Sequence, residues 1–160
     1  MSVIGIIPAR YGSSRFPGKP LADILGKSMI QRVYEQCKKA SSLNKIIVAT
    51  DDERIFNHIL GFGGKVIMTS SSHPSGTDRC NEVIQKLEEQ YDIAINIQGD
   101  EPYINPEQID QVANLFSSKE VSIATLVKKI EDKSLISDIN SPKAIFDSNG
   151  IAQNFCREIT

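Results

Sequence analysis

A loop rich in glycine, proline and serine follows the first apolar run of the chain, Val3–Ile7, and carries three cations. The residues of this loop that suit anion binding are Arg10, Gly12, Ser13, Arg15 and Lys19. Glycines let main-chain N–H groups approach an anion closely, and Arg and Lys neutralise its charge. The pattern predicts a polyphosphate site. The residues leave one alternative open, an ordinary surface loop with solvated cations.

The spacing in this loop excludes two common phosphate-binding motifs. Gly12 and Gly18 are separated by five residues, and Pro20 follows Lys19. A P-loop has four residues between its glycines and a Ser or Thr after the lysine, to hold magnesium. The dinucleotide pattern G-x-G-x-x-G does not follow the first apolar run either. We therefore expect a phosphate-binding loop of a different kind.

A carboxylate, Asp100, follows a second apolar run, Ile93–Ile97, after a turn at Gly99. At a strand end that faces a cationic loop, such a carboxylate suits Mg²⁺, which takes a few hard oxygen ligands and completes its shell with water and phosphate. An Asp that hydrogen-bonds its own turn is the alternative. The residue pattern alone leaves the two open.

Strand-like and helix-like stretches alternate along the chain, which predicts βαβ units and a mostly parallel sheet of an α/β protein. Predicted strands are Val3–Ile7, Lys45–Ala49, Val66–Met68, Ile93–Ile97 and Ser122–Val127, and predicted helices start near Met29, Glu53, Thr77 and Pro106. The first strand is expected to stop before Pro8, which has no N–H for a sheet ladder. Loops at the carboxyl ends of parallel strands share one edge, so the cationic loop, Thr50–Asp52, Ser70–Asp78 and Gln98–Glu101 should meet there.

Composition narrows the class of protein. The chain has 160 residues, a formal net charge of −2, and 40% hydrophobic and 24% charged residues. We expect one globular domain over residues 1–160, without a nucleic-acid-binding surface. No run approaches the ~18 apolar residues of a membrane span, and no signal peptide is expected. The three cysteines show no C-x-x-C pairing, so reduced thiols of a cytoplasmic protein are expected.

The stretch IPARYGSSRFPGKPL resembles the signature of the cytidylyltransferases that activate 3-deoxy-manno-octulosonate (Kdo), the CMP-Kdo synthetases. The segments ATDDERI, SGTDR and NIQGDEP follow in the order of that family. The resemblance extends through about Phe116. It implies a Rossmann-like three-layer α/β/α nucleotidyltransferase fold, CTP and Kdo as substrates, Mg²⁺ as cofactor, a homodimer, and a cytoplasmic place in lipopolysaccharide synthesis.

The resemblance also implies roles for single residues. Catalysis would rest on Arg10 near the α-phosphate, on Arg15 and Lys19 at the β- and γ-phosphates, and on Asp100 as the ligand of Mg²⁺. The rest of the nucleotide site would comprise Pro8, Ala9, Gly12, Ser13, Ser75, Gly76 and Gln98. Gln98 reaches either the base or the sugar, and Arg157 is expected to help hold the sugar acid.

The last part of the chain departs from the family pattern. Family members continue with a segment like N-P-N-x-V-K-V-V and then Y-F-S-R, whereas this chain has Lys143–Asp147 and then Asn154–Arg157 with altered flanks. Family members are also longer. We therefore expect binding of CTP with Mg²⁺ but little formation of CMP-Kdo. The alternatives are a nucleotidyltransferase for another acidic sugar and a CTP-binding fragment without catalytic activity.

Overall fold

Four parallel strands form the central sheet of the protein. The structure is a computed structural model and describes residues 1–12, 16–118 and 120–158. The strands of the chain are β1 (Val3–Ala9), β2 (Asp23–Ile24), β3 (Lys27–Ser28), β4 (Lys45–Thr50), β5 (Val66–Met68), β6 (Ile93–Asn96), β7 (Lys143–Phe146) and β8 (Ala152–Cys156). The helices are α1 (Met29–Cys37), α2 (Glu53–Gly61), α3 (Gly76–Lys86), α4 (Pro106–Leu115) and α5 (Ser134–Ser137), with a 3₁₀ turn at Lys19–Leu21. The sheet has the order β5-β4-β1-β6, which confirms the prediction of a mostly parallel α/β sheet.

Helices cover both faces of the sheet. Successive side chains of a strand point to opposite faces. Ile4 and Ile6 of β1 pack with Cys80 and Val83 of α3 on one face. The other face buries apolar side chains of β1 and β4 against residues of three helices, Ile30 and Val33 of α1, Ile55 and Ile59 of α2, and Ile109 and Ala113 of α4. The two apolar layers give the three-layer α/β/α arrangement that the sequence predicted.

The prediction that β1 stops before Pro8 is wrong, because β1 continues to Ala9. Pro8 pairs in register with Ala49 of β4. The carbonyl of Ile6 accepts a hydrogen bond from Ile97 N–H, so Ile6 and Pro8 face the β6 side of the strand. Because β6 ends at Asn96, no ladder bond is lost where Pro8 lacks its N–H.

Serine, aspartate and asparagine side chains cap the helices that lead away from the sheet. Ser28, Asp52, Ser75 and Asn105 each accept a hydrogen bond from a main-chain N–H in the first turn of α1, α2, α3 and α4. Such caps satisfy donors that the helix itself leaves free. The helix predicted to start near Thr77 begins at Gly76 and ends at Lys86.

The contacts of the chain fall into two compact units, Met1–Ala124 and Thr125–Thr160. The first unit contains the four-stranded sheet. The second contains the antiparallel hairpin of β7 and β8. The predicted strand Ser122–Val127 is wrong: these residues form no ladder, and Ile123 is almost fully exposed. The prediction of one domain over residues 1–160 stays a prediction.

None of the helices in the described ranges combines the length and the apolar character that a membrane crossing requires.

Candidate active site at the carboxyl edge of the sheet

A cavity of about 620 Å³ lies at the carboxyl ends of β1, β5 and β6. It gathers most of the residues that the sequence placed in a nucleotide site: Pro8, Ala9, Arg10, Lys19, Ser75, Gly76, Gln98 and Asp100. Because parallel strands end at the same edge, residues as far apart in sequence as Pro8 and Asp100 meet there. The prediction that the loops after four strands meet at one edge is confirmed: three of them line the cavity, and Asp51 of the fourth pairs with Arg79 in the cavity wall.

The cationic loop is tied to the fold at both of its ends. Tyr11 accepts a hydrogen bond at its carbonyl from Gly18 N–H, at 2.9 Å, and its ring lies 3.3 Å below the guanidinium carbon of Arg54. Gly18 has φ +71°, and a Cβ there would lie 3.0 Å from the Tyr11 ring, so glycine is required. These contacts fix where the loop leaves the strand and where it re-enters at Lys19.

Lys19 and Asp100 form an ion pair on the wall of the cavity. The distance from Lys19 Nζ to Asp100 Oδ2 is 2.6 Å, and the two side chains are 37% and 51% exposed. Asp100 approaches closely because Gly99 precedes it: a Cβ on Gly99 would lie 2.9 Å from the Pro8 carbonyl oxygen. The predicted phosphate-binding cation and the predicted metal-binding carboxylate are therefore in direct contact.

Arg10 is an exposed cation in the lining of the cavity. Within the described residues it has no hydrogen bond or ion pair that would withdraw its charge from the cavity. Its position directly after β1 places a free guanidinium in the cavity that Lys19 and Asp100 also line. Such a group suits an anion, because guanidinium binds phosphate oxygens in a bidentate manner.

A buried guanidinium, Arg79, forms part of the cavity wall. It is 4% exposed, donates from Nη1 to the Thr69 hydroxyl at 2.6 Å, and pairs through Nη2 with Asp51 Oδ2 at 3.2 Å. Asp51 follows β4 and Thr69 follows β5, so Arg79 ties α3 to the ends of two strands. Asp51 does not cap α2, because the cap is the next residue, Asp52. The pair was missed because its members are 28 residues apart.

The segment before α3 contributes His73 and Ser75 to the cavity, and the first residue of the helix contributes Gly76. The Ser75 hydroxyl accepts from Asp78 N–H at 3.1 Å and so caps the helix. The first N–H groups of a helix have no acceptor inside it and carry positive partial charge. An anion or the polar edge of a base would find donors here.

His73 contacts Glu82 through Nε2, and Glu82 also accepts from Ser70 N–H at 2.8 Å and pairs with Lys86 at 2.7 Å. Hydrogen bonds from Lys86, His73 and the Ser70 main chain lower the pKa of Glu82 to about 2. The carboxylate therefore orients the imidazole at the cavity wall. The His73 side chain is only 20% exposed.

Four predicted residues are not among the described residues that line the cavity. Ser13 and Arg15 lie outside the described residues. Gly12 is exposed and does not line the cavity. Arg157 belongs to the second unit, where its guanidinium donates to the carbonyls of Ile139 and Asn140 at 3.0 and 3.4 Å.

The carboxylate of the site suits a metal ion that takes most of its ligands from substrate phosphates and water. Among the described residues, no group of three or more His, Cys, Asp or Glu side chains could hold a metal ion. Mg²⁺ is commonly bound by one or two carboxylates together with substrate phosphates and water. Asp100, half exposed at the cavity wall, is a donor of this kind. The residues present therefore fit Mg²⁺ bound together with a polyphosphate.

The sequence model of a family described as cytidylyltransferase matches residues 4–160. The chain belongs to the cytidylyltransferase family. A 3-deoxy-manno-octulosonate cytidylyltransferase of Cytophaga hutchinsonii is 51% identical over 158 residues, which are 99% of this chain and 63% of that protein. An 8-amino-3,8-dideoxy-manno-octulosonate cytidylyltransferase of Shewanella sp. (strain W3-18-1) is 54% identical, over 98% of this chain and 65% of that protein.

A solved member of the cytidylyltransferase family has the same fold. The structure of CMP:2-keto-3-deoxy-manno-octonic acid synthetase complexed with CTP superposes with a TM-score of 0.91 at 40% identity, over 99% of this chain and 65% of that one. This confirms the predicted nucleotidyltransferase fold. The chain spans just under two thirds of the length of these relatives.

Proposed function

We propose that the protein binds CTP in this cavity and transfers CMP to the anomeric hydroxyl of Kdo, with release of pyrophosphate, for lipopolysaccharide synthesis. One observation carries the proposal. Arg10, Lys19 and Asp100 line one cavity, in a chain about half identical to 3-deoxy-manno-octulosonate cytidylyltransferases. Two cations and one carboxylate are the groups that a triphosphate with a divalent cation needs.

The described residues account for separate parts of the reaction. Arg10 would hold the α-phosphate, and Lys19 the β- and γ-phosphates, where its charge favours departure of pyrophosphate. The chemical step is an in-line displacement at the α-phosphorus, so the protein acts by positioning and by stabilising charge. Arg15 is proposed to assist Lys19, and Gly12 and Ser13 to complete the loop around the phosphates.

The base and the sugar would be held by other segments. The main chain at Pro8 and Ala9 and the start of α3 at Ser75 and Gly76 would contact the cytosine, and Gln98 the base or the sugar. Arg157 is proposed to take part in holding the sugar acid.

We propose Mg²⁺ as the cofactor, held by Asp100 and by phosphate oxygens. When bound, it would neutralise phosphate charge and lower the pKa of an oxygen bound to it. Within the protein, Asp100 supplies the carboxylate, and Gly99 allows the main chain to approach Pro8 closely enough to present it to the cavity. A cytoplasmic location and a homodimer complete the proposal, and both rest on the resemblance to the family.

A second acceptor is favoured by one observation. The Shewanella relative, at 54% identity, is named for 8-amino-3,8-dideoxy-manno-octulosonate. That sugar acid has an amine in place of the 8-hydroxyl. Pyrophosphate release with CTP and each sugar acid in turn would show which acceptor the protein uses. Faster turnover with the amino sugar would replace Kdo in the proposal.

The nucleotide part of the proposal is tested by calorimetric titration of CTP with Mg²⁺. Arg10→Ala and Lys19→Ala should each weaken CTP binding by about 1–3 kcal/mol, as for hydrogen bonds between charged groups. Lys27→Ala is the matched control, because Lys27 pairs with Glu35 at 2.7 Å with similar exposure but outside the cavity. Unchanged CTP affinity in both cavity variants, or no binding of CTP by the wild-type protein, would refute the site.

A further inference from the structure

The contact between Lys19 and Asp100 brings together two groups to which the proposed function gives different ligands. Lys19 is assigned to the triphosphate and Asp100 to the divalent cation. In the structure the Lys19 ammonium lies 2.6 Å from Asp100 Oδ2, so the cation and the carboxylate satisfy each other. Among the described residues, Asp100 forms no other ion pair.

An ammonium group and a divalent cation compete for the same carboxylate oxygen. A divalent cation that binds Asp100 must displace the Lys19 ammonium or share the Asp100 carboxylate with it. A triphosphate removes the conflict, because it offers Lys19 a more highly charged acceptor and leaves the carboxylate free.

We propose that the Lys19–Asp100 pair is a latch that makes divalent-cation binding at Asp100 depend on the triphosphate. The latch rests on the proposed function, since it needs a triphosphate at Lys19. While the cavity holds no nucleotide, Lys19 blocks Asp100. When the phosphates draw the ammonium away, Asp100 becomes available to the metal. By thermodynamic linkage the coupling is mutual, so the metal also strengthens triphosphate binding.

The local structure allows the side chain to move while the main chain stays in place. Lys19 begins a 3₁₀ turn in which Leu21 N–H donates to Gly18 O at 2.8 Å and Ala22 N–H to Lys19 O at 3.1 Å, and the next residue, Pro20, is buried. The lysine side chain is a flexible four-carbon stem with a point charge at its end. Because the ion pair is about half exposed, its opening costs little compared with the contacts that phosphates offer.

The first test measures CTP binding in EDTA, without metal. Asp100→Asn should tighten CTP binding, because Lys19 no longer has to leave a carboxylate. Loss of negative charge near a triphosphate would tighten it as well. A double-mutant cycle separates the two effects. In a Lys19→Met background, Asp100→Asn can act only by removing the repulsion between the carboxylate and the triphosphate. We expect the gain from Asp100→Asn to be about two- to five-fold larger when Lys19 is present, the range for an exposed pair.

The second test measures Mn²⁺ binding by electron paramagnetic resonance in the absence of nucleotide. Lys19→Met should bind Mn²⁺ about two- to five-fold more tightly than the wild-type protein, because the carboxylate is no longer occupied. Lys27→Met is the matched control and should leave Mn²⁺ affinity unchanged, since Lys27 pairs with Glu35 outside the cavity.

The outcomes distinguish the latch from the proposed function. Suppose that the wild-type protein binds CTP with Mg²⁺, but that Asp100→Asn changes CTP affinity by the same factor in the wild-type and Lys19→Met backgrounds. The latch is then refuted and the CTP site stands. Unchanged Mn²⁺ affinity in Lys19→Met refutes the latch equally. If the wild-type protein does not bind CTP, both proposals fail.

Discussion

The buried pair of Arg79 and Asp51 allows a prediction whose size follows from the structure. Their side chains are 5% and 20% exposed, and Arg79 keeps one further bond, to the Thr69 hydroxyl. Asp51→Asn would leave the guanidinium buried without a countercharge. Removing one partner of a buried ion pair costs about 3–5 kcal/mol. Because Asp51 is partly exposed and Thr69 remains, we expect the lower end, a loss of about 3 kcal/mol in the free energy of unfolding.

A double substitution separates the loss of a countercharge from the loss of packing. Apolar side chains of similar volume often replace a buried ion pair without loss of stability. The pair is also incompletely satisfied, because the Asp51 Oδ1 atom is buried without a hydrogen-bond partner in the described chain. We therefore expect Asp51→Leu combined with Arg79→Met to unfold within about 1 kcal/mol of the wild-type protein.

Urea unfolding followed by circular dichroism measures these differences, with the slope m as a check that each variant exposes the same surface. An exposed ion pair contributes about 1 kcal/mol or less to the free energy of unfolding. If Asp51→Asn lowers that free energy by no more than this, the Arg79 guanidinium is hydrated and the reasoning is refuted. A double variant that is as unstable as the single one would show that packing, and not charge, dominates.

Two further predictions concern single positions in the fold. Gly99→Ala places a Cβ 2.9 Å from the Pro8 carbonyl oxygen and should cost about 1–3 kcal/mol in urea unfolding, whereas Gly12→Ala, with no atom within 4 Å, should cost much less. Burial acts to raise the pKa of Asp110, but hydrogen bonds from Ser42 and Ser41 outweigh it and lower the pKa from 3.8 to about 2. The carboxylate therefore stabilises the fold above about pH 4, and this contribution is lost as the pH falls towards 2. Asp110→Asn should make the free energy of unfolding depend less on pH over that range. An unaltered dependence would contradict the assignment.

Local pattern in the sequence was sufficient for the class of fold. Four of the five predicted strands form the sheet, because short β-branched runs between polar turns suit strands that are covered on both faces. Chain polarity then places the loops after β1, β5 and β6 at one edge, so the neighbourhood of Pro8, Ser75 and Asp100 followed from the order of elements.

Other features depend on neighbours that local pattern does not specify. Pro8 remains in a strand only because β6 ends before it, and Ser122–Val127 fails to form a strand because it finds no ladder partner in the described chain. An isolated strand leaves its main-chain groups unpaired, so strand propensity alone does not decide the outcome.

Tertiary structure alone decided which charges of the site face each other. The sequence placed Lys19 and Asp100 in one site but did not pair them, and it placed Asp51 in a loop at the same edge without a partner. Lys19 and Asp100 are 81 residues apart, and the fold sets their distance at 2.6 Å. Asp51 meets Arg79 because strand β4 and helix α3 converge at the same edge. Electrostatic partners are chosen by distance and burial in space, which residue types and their spacing along a chain do not determine.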